Sequence, residues 1–584
     1  MLIDRRNERH ALKNKDEPKL IALGGLSPKK VVYLTLCIYL LFAAHFMMPT
    51  FGTQGLDIPA NMVSWTVAGV LIGAGFAQIA ASGRVVFSRF SAVTWIGFLL
   101  LSIPLVYPEV IKTTYSIPRS LGLLGGLLVL HTLMQFRWSS RDIRMGLVLL
   151  MACVALEMAL GLVQYFLLSE GNWLGYDVKT SRPFGSFRQP NVMSSLVATG
   201  LAVGLYLSIN VAGRKHWQRA RWWFFHAALC GFFLVILQSR TGQLGALLAL
   251  LLLLPLAYSR NPTLVFVWLL SLSLGLLMGI GALNMPGDGP VRGSGIYTQA
   301  SARVAIYQHS IHMIQESPWR GFGYGNFAAA WQNHYAADAR QNDEVFLDGL
   351  HNLHHPHNEL LLWAVEGGIV PVAGIFLIIG VFLWQCRARG RWRVLALLAL
   401  PLPMALHSET EFPFYSSVLH WLIFLSLIFL VDLKTGRQLS FAYPRPELAR
   451  LLAWVIPTVL LVFMLSALQA NYMLTRFEAT GRTNGQWLTR IVNPLPVLNR
   501  LDANVMHLVL QRGLDTGDQK ALQDYVHWSE KRLRHKPVAE VFHNRVLALQ
   551  ALGQTITADA ALCRARYLMG NHRALASLES SVDC

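Results

Sequence analysis

The stretch Thr263-Leu-Val-Phe-Val-Trp-Leu-Leu-Ser-Leu-Ser-Leu-Gly-Leu-Leu-Met-Gly-Ile-Gly-Ala-Leu283 contains no ionisable side chain and is as long as a helix needs to cross a bilayer. A hydrocarbon core of ~30 Å takes ~20 helical residues. Backbone polar groups inside it must be satisfied within the segment, which favours a helix over any open strand. Similar apolar runs lie near 30–49, 62–80, 91–107, 119–135, 145–168, 191–211, 222–238, 243–257, 359–384, 394–408, 416–432 and 451–468. Hydrophobic residues make up 54% of the 584 and charged ones only 14%, which excludes an ordinary soluble domain. The expected fold is all-α: a polytopic helical membrane protein with about 13 transmembrane helices, and the count could run from 12 to 14 because some runs are short.

Lys and Arg concentrate in alternate loops, and the positive-inside rule turns that pattern into an orientation. The tail at 1–29 carries Arg5, Arg6, Arg9, Lys13, Lys15, Lys19 and Lys29 and is expected in the cytoplasm. The same side receives Arg84 and Arg89, Arg137 to Arg144, Arg214 to Arg221, Arg260, Arg387 to Arg393, and Lys434 to Arg450. Much of the formal charge of +18 is therefore a topology signal, and no nucleic-acid partner is needed to explain it. The basic tail lacks a small-residue cleavage site, so the first span is read as retained. The expected organisation is a cytoplasmic tail 1–29, helices 1–9 over 30–283, a large outer loop 284–357, helices 10–13 over 358–468, and a helical outer domain 469–584. An odd number of spans leaves that last domain outside, in a bacterial periplasm. The pattern around Ala548 to Ala561 fits a tetratricopeptide hairpin and a plain helical bundle equally. Cys563 and Cys584 fall in the outer domain, where an oxidising compartment can pair them.

The chemistry gathers on the outer side. Arg182, Arg188, Arg240, Arg292, Arg303 and Arg320 all sit where short loops should be poor in cations. Arg240 lies in the minimal turn Gln238-Ser-Arg-Thr-Gly242 between two spans. Such an arginine either bonds lipid phosphate or joins others on one diphosphate, since guanidinium forks hold phosphate oxygens bidentately at any working pH. The stretch His351-Asn-Leu-His-His-Pro-His357-Asn358-Glu359 leads into the apolar run ending Glu366-Gly367-Gly368. His351, His354, His355 and His357 have three readings: zinc ligands, surface groups with no role, or a base at the membrane rim. The irregular spacing and missing thiolate weigh against zinc, and Pro356 suits a helix start that would fix His357.

His357 with Gly367 ten residues on, and Arg240 with Leu244 four on, resemble paired signatures of the bacterial O-antigen ligase and polymerase superfamily (Wzy/WaaL-like). The block Arg303 to Phe327 is similar to the segment before that histidine. Arg182-Pro-Phe-Gly-Ser-Phe-Arg188-Gln189-Pro-Asn191 and His407-Ser-Glu-Thr-Glu411-Phe-Pro413-Phe-Tyr415 are most like the PglL-type protein O-oligosaccharyltransferases. The resemblance implies inverting, metal-independent glycosyl transfer in the inner membrane, without a cofactor. The donor would be an undecaprenyl-diphosphate-linked glycan and the acceptor a periplasmic, pilin-like protein. His357 would be the base. Arg188, Arg240 and Arg303 would hold the diphosphate, and Gln189, Asn191, His354, Asn358 and Tyr415 would contact sugar or acceptor. A ligase or polymerase of lipid-linked glycan is the alternative within the family. A lipid-linked glycan transporter is the alternative outside it, disfavoured because the buried ionisable residues His45, Glu157, His226 and Glu366 look few and scattered and no repeat is visible.

Overall fold

A computed structural model describes residues 26–107, 116–172, 174–179, 181–210, 216–284, 296–341, 353–387, 389–570 and 572–578. The basic tail through Lys19, Arg214, Lys215, Arg292, His351 and Cys584 lie outside them. Cys563 is disulfide-bonded, but its expected partner Cys584 is among those residues; Cys37, Cys153, Cys230 and Cys386 are free.

The chain is a helical membrane protein. Its first half forms α1 (Pro28–Leu41), α2 (Pro59–Ser82), α3 (Arg89–Ser102), α4 (Ser116–Met134), α5 (Ser140–Phe166), α6 (Pro190–Ser208), α7 (His216–Ile236), α8 (Arg240–Arg260) and α9 (Pro262–Leu283). The outer loop carries α10 (Ile296–Glu316) and α11 (Phe327–Gln341). Then come α12 (Glu359–Gly367), α13 (Ile369–Cys386), α14 (Arg391–Leu398), α15 (Leu402–Ser408), α16 (Pro413–Ser416), α17 (Val418–Thr435) and α18 (Pro446–Ala479). The C-terminal domain adds α19 (Gln486–Thr489), α20 (Leu498–Thr516), α21 (Gln519–His535), α22 (Ala539–Ala551) and α23 (Thr555–Met569).

Among the described residues ten helices are long and apolar enough to cross a membrane, against the thirteen spans expected. The difference lies in three short or broken elements. Helix α1 stops at Leu41, and Trp222–Ile236 is a shorter apolar stretch within α7. The run 394–408 breaks between α14 and α15, where Pro401 and Pro403 remove donors from the ladder. The run 359–384 is likewise two helices, hinged at Gly368 with φ +70°. Helix α18 continues through Ala479, so the expected domain boundary at 469 falls inside a helix.

Small residues set the helix spacing, as they do where lipid supplies no hydrophobic drive between helices. A Cβ on Gly73 of α2 would sit 2.7 Å from the Ala453 carbonyl of α18, and one on Gly275 of α9 would sit 1.8 Å from the Ala228 carbonyl of α7. The main apolar core runs through α2, α4 to α9, and α17.

Contacts between loops sort them onto two ends of the bundle. At one end Lys29 donates to Asp142 at 2.7 Å and Arg260 reaches Asn210, and a two-stranded antiparallel ribbon pairs Arg84–Ser88 (β1) with Gln438–Ala442 (β2). That ribbon is the small exception to an all-helical reading. At the other end Arg182 donates to the Leu237 carbonyl at 2.6 Å, and Arg500 of the C-terminal domain reaches Asp57 at 3.8 Å. Each contact joins loops that the alternation of helices places together. In a cysteine-free background, single cysteines at Glu170, Asn284 and Lys520 should therefore react with an impermeant thiol reagent from one side of the membrane, and one at Gln438 from the other. Labelling of Gln438 together with Lys520 would break this topology.

Candidate functional site

The site begins at a loop that buried side chains hold rigid. Gln164 of α5 accepts from the Phe184 and Gly185 amides, both at 2.9 Å, and donates to the Gly185 carbonyl at 2.8 Å. Glu157 accepts from the Ser186 amide at 2.8 Å and its hydroxyl at 2.7 Å, and also meets His45 at 2.7 Å. His45 and Glu157 are thus one pair and not scattered groups. The loop delivers Arg188 with φ +59°, Gln189 as the residue before α6, and Asn191 in its first turn.

Gln189 and Asn191 converge on Glu411. This carboxylate accepts from Gln189 Nε2 at 3.0 Å, Asn191 Nδ2 at 2.6 Å and Arg303 Nη2 at 3.2 Å, and meets His407 Nε2 at 3.2 Å. Burial pushes its pKa up, but the His407 hydrogen bond and the His407 and Arg303 charges outweigh it and hold the carboxyl below its usual range. His407 is itself fixed by Ser195 Oγ at 2.8 Å. One carboxylate therefore ties together α6, the outer-loop helix α10 and the α15 turn.

The outer loop is anchored by a second carboxylate. Glu366, at the end of α12, meets Arg119 of α4 at 2.6 Å and accepts from the Gly325 and Phe327 amides at 3.0 and 3.2 Å. The Arg119 guanidinium lies over the Tyr324 and Trp363 rings, 4.6 and 4.4 Å from their centroids. Ile306, Met313, Phe327, Trp331, Leu362 and Val365 close a core beneath α10, α11 and α12.

His357 stands on that anchored loop. Its φ is +57°, a left-handed conformation that is costly for a residue with a Cβ and clusters at functional sites. Its Nδ1 is buried with no hydrogen-bond partner among the described residues. Its ring faces Phe412 at 5.5 Å. Burial first, then the nearby His355 and Arg303, push its pKa down to about 4, with Glu411 opposing. The imidazole is therefore neutral near neutral pH, the form that can accept a proton.

Other expected residues are placed differently. Helix α12 starts at Glu359 with Asn358 as its cap, so Pro356 is not at the helix start. The Asn358 amide is occupied, accepting from Leu361 N at 2.8 Å and donating to the Glu409 carbonyl at 3.1 Å. Tyr415 is partly buried and donates to Glu359 at 3.4 Å. His354 is exposed and lies near the charges of Lys536 and Arg532 in the C-terminal domain. Arg188 donates to the Thr50 carbonyl, and desolvation lowers its pKa. Arg240 is exposed at the start of α8, where the next residue, Thr241, stands 3.1 Å from Thr410. Among the described residues no three His, Cys, Asp or Glu side chains form a metal-binding set.

Glu411, His407, Arg119 and His355 were missed as site residues. A lone arginine within an expected span, and a His and Glu four apart flanked by prolines, were the available signals. Glu411→Gln should confront donors with another donor. The variant is expected to lose about 1–3 kcal/mol of stability for the unsatisfied polar groups, read as a lower unfolding temperature in detergent; an unchanged transition would remove Glu411 as the hub.

Three family models match successive parts of the chain. Residues 183–207 match the protein glycosylation ligase model, 225–376 the O-antigen ligase model, and 395–580 the model of the virulence factor membrane-bound polymerase C-terminal region. A general O-oligosaccharyltransferase of Acinetobacter baylyi is 24% identical over 307 residues, 48% of this chain and 49% of the relative. The chain thus spans about half the length of the curated relative it matches.

Proposed function

We propose that this chain, a relative of the O-antigen ligases and protein glycosylation ligases, is an O-oligosaccharyltransferase of the bacterial inner membrane. It moves a preassembled glycan from undecaprenyl diphosphate to a Ser or Thr hydroxyl of a periplasmic, pilin-like protein. The observation that carries the reading is the grouping of Gln189, Asn191, Arg303 and Glu411 beside a half-buried His357 whose pKa is depressed. Gln189 and Asn191 lie in the stretch that matches the protein glycosylation ligase model, which favours a protein acceptor over lipid A core. The basic end of the bundle is the cytoplasmic one on this reading, and the site faces the periplasm.

In the reaction the acceptor oxygen attacks the anomeric carbon as its proton passes to the His357 imidazole. The bond from that carbon to the diphosphate breaks, and the electron pair leaves with undecaprenyl diphosphate. Such a leaving group is already anionic and needs no acid. Its developing charge is met by Arg188, Arg240 and Arg303, an electrostatic preorganisation that requires no divalent ion. A single displacement inverts the anomeric configuration. Among the described residues a single contact joins Arg303 to Glu411 through one nitrogen of its fork.

A second reading, polymerisation of the lipid-linked glycan, is favoured by the match over 395–580. The two separate by product. Purified protein given lipid-linked glycan should modify a pilin-like protein on the first reading and lengthen the glycan on the second; transfer only to lipid A core would overturn the protein acceptor.

His357→Ala should abolish transfer while donor binding stays. Because the folded-state pKa of His357 is depressed to about 4, its neutral form is present above that value and lost as pH falls through it. The kcat/KM of the free enzyme should therefore show its acid limb near about 4. An acid limb at an ordinary histidine value would assign the proton to another group.

Arg303 separates charge from geometry. Lysine keeps the charge and loses the fork, so Arg303→Lys should fall nearly as far as Arg303→Ala, on the order of 10²-fold in transfer rate. Near-wild-type turnover in the lysine variant would remove Arg303 from diphosphate binding.

A further inference from the structure

Among the described residues His355 makes the closest polar contact to His357. The His357 backbone N–H donates to His355 Nδ1 at 2.9 Å. A backbone amide only donates, so Nδ1 must be an unprotonated acceptor and the ring proton of neutral His355 sits on Nε2. That Nε2 stands 3.4 Å from Glu359 Oε1, a close approach without an aligned hydrogen bond. The other Glu359 oxygen is fixed by Trp363 Nε1 at 3.1 Å and Tyr415 Oη at 3.4 Å. The His355 ring is wedged between Phe412 and Tyr415, with centroids at 5.0 and 5.8 Å. On the other side of the same residue, Tyr307 Oη stands 3.4 Å from the His357 carbonyl and 3.1 Å from the Glu409 carbonyl, which share its one proton.

The left-handed backbone of His357 is thus held chiefly at its amide. We infer that His355, held between Phe412 and Tyr415, is the positioning residue that keeps His357 in its φ +57° conformation and so aims the imidazole at the acceptor. This rests on the glycosyl-transfer reading of His357. His355 touches no substrate on this account. Its Nδ1 is spent on the backbone, so it is not a second base.

Asparagine and glutamine tell the two ring nitrogens apart. An Asn amide oxygen falls near the position of Nδ1, and a Gln amide oxygen near that of Nε2. The wild type, His355→Asn, His355→Gln, His355→Ala and His357→Ala would be compared in vesicles carrying undecaprenyl-diphosphate-linked oligosaccharide, with a pilin-like acceptor. Exchange of the His357 amide proton would be followed by residue-resolved mass spectrometry. H355N should keep most of the turnover and the amide protection. H355Q and H355A should lose kcat on the order of 10-fold or more, as expected for one lost positioning hydrogen bond, with donor KM unchanged and the amide exchanging faster. A purely structural role would instead lower all three with protein stability. Wild-type kcat and protection in H355A, or equal loss in H355N and H355A, overturns the assignment. H357A separates the two failures: a fully active H357A sinks the transfer reading and the positioning claim with it, whereas an inactive H357A beside fully active H355A and H355Q sinks the positioning alone.

Discussion

A buried carboxylate that accepts from four side chains is the contact on which the site depends. Glu411 lies at the rim of the bundle and is 6% exposed, so leaving its charge without partners would cost several kcal/mol. Gln189, Asn191, Arg303 and His407 supply those partners from three separate parts of the chain. The requirement works in both directions. Satisfying Glu411 fixes the start of α6, orients Arg303 on α10 and holds the α15 turn, and only then do the groups around His357 share one place.

The bilayer imposes the same logic on the rest of the molecule. Three of the carboxylates that enter the apolar bundle are paired: Glu157 with His45, Glu366 with Arg119, and Asp432 with Ser88 and Gln385 at 2.7 and 2.9 Å. Two of these pairs do more than neutralise charge. Glu157 shapes the loop that presents Arg188 and Gln189, and Glu366 gathers the amides of the glycine-rich turn beneath the outer loop. These groups look scattered in sequence because pairing partners lie far apart along the chain, with Arg119 and Glu366 separated by 247 positions.

The C-terminal domain is tied to this arrangement and not merely appended. Arg500 joins Glu478, Thr475 and Thr50, and Thr50 is the residue whose carbonyl receives Arg188. Ala336 of α11 enters the core that α22 and α23 share. The domain therefore braces both the loop under Arg188 and the loop that carries Arg303. Its consecutive helices pack on one another around Leu510, Leu522 and Tyr525, and around Phe542, Val546 and Leu562.

What the sequence determined by itself is whatever follows from local composition and period. Apolar runs of bilayer length gave helices such as α2, α6, α9 and α17, and alternating basic loops anticipated the grouping of β1 with β2 and of Lys29 with Asp142. The histidine-rich entry to α12 and the outward arginines could be singled out because such residues are unexpected there. What tertiary structure decided is how those residues are used. Asn358 looked free for substrate, yet its amide caps α12; Glu411 looked like one acid in a polar turn, yet it gathers donors from 220 and 108 positions away. The left-handed backbone of His357 and its bond to His355 leave no mark in residue pattern. Period and hydropathy report the solvent a segment meets, whereas a hydrogen bond across the bundle depends on which helices pack together, and that is settled only when the chain closes on itself.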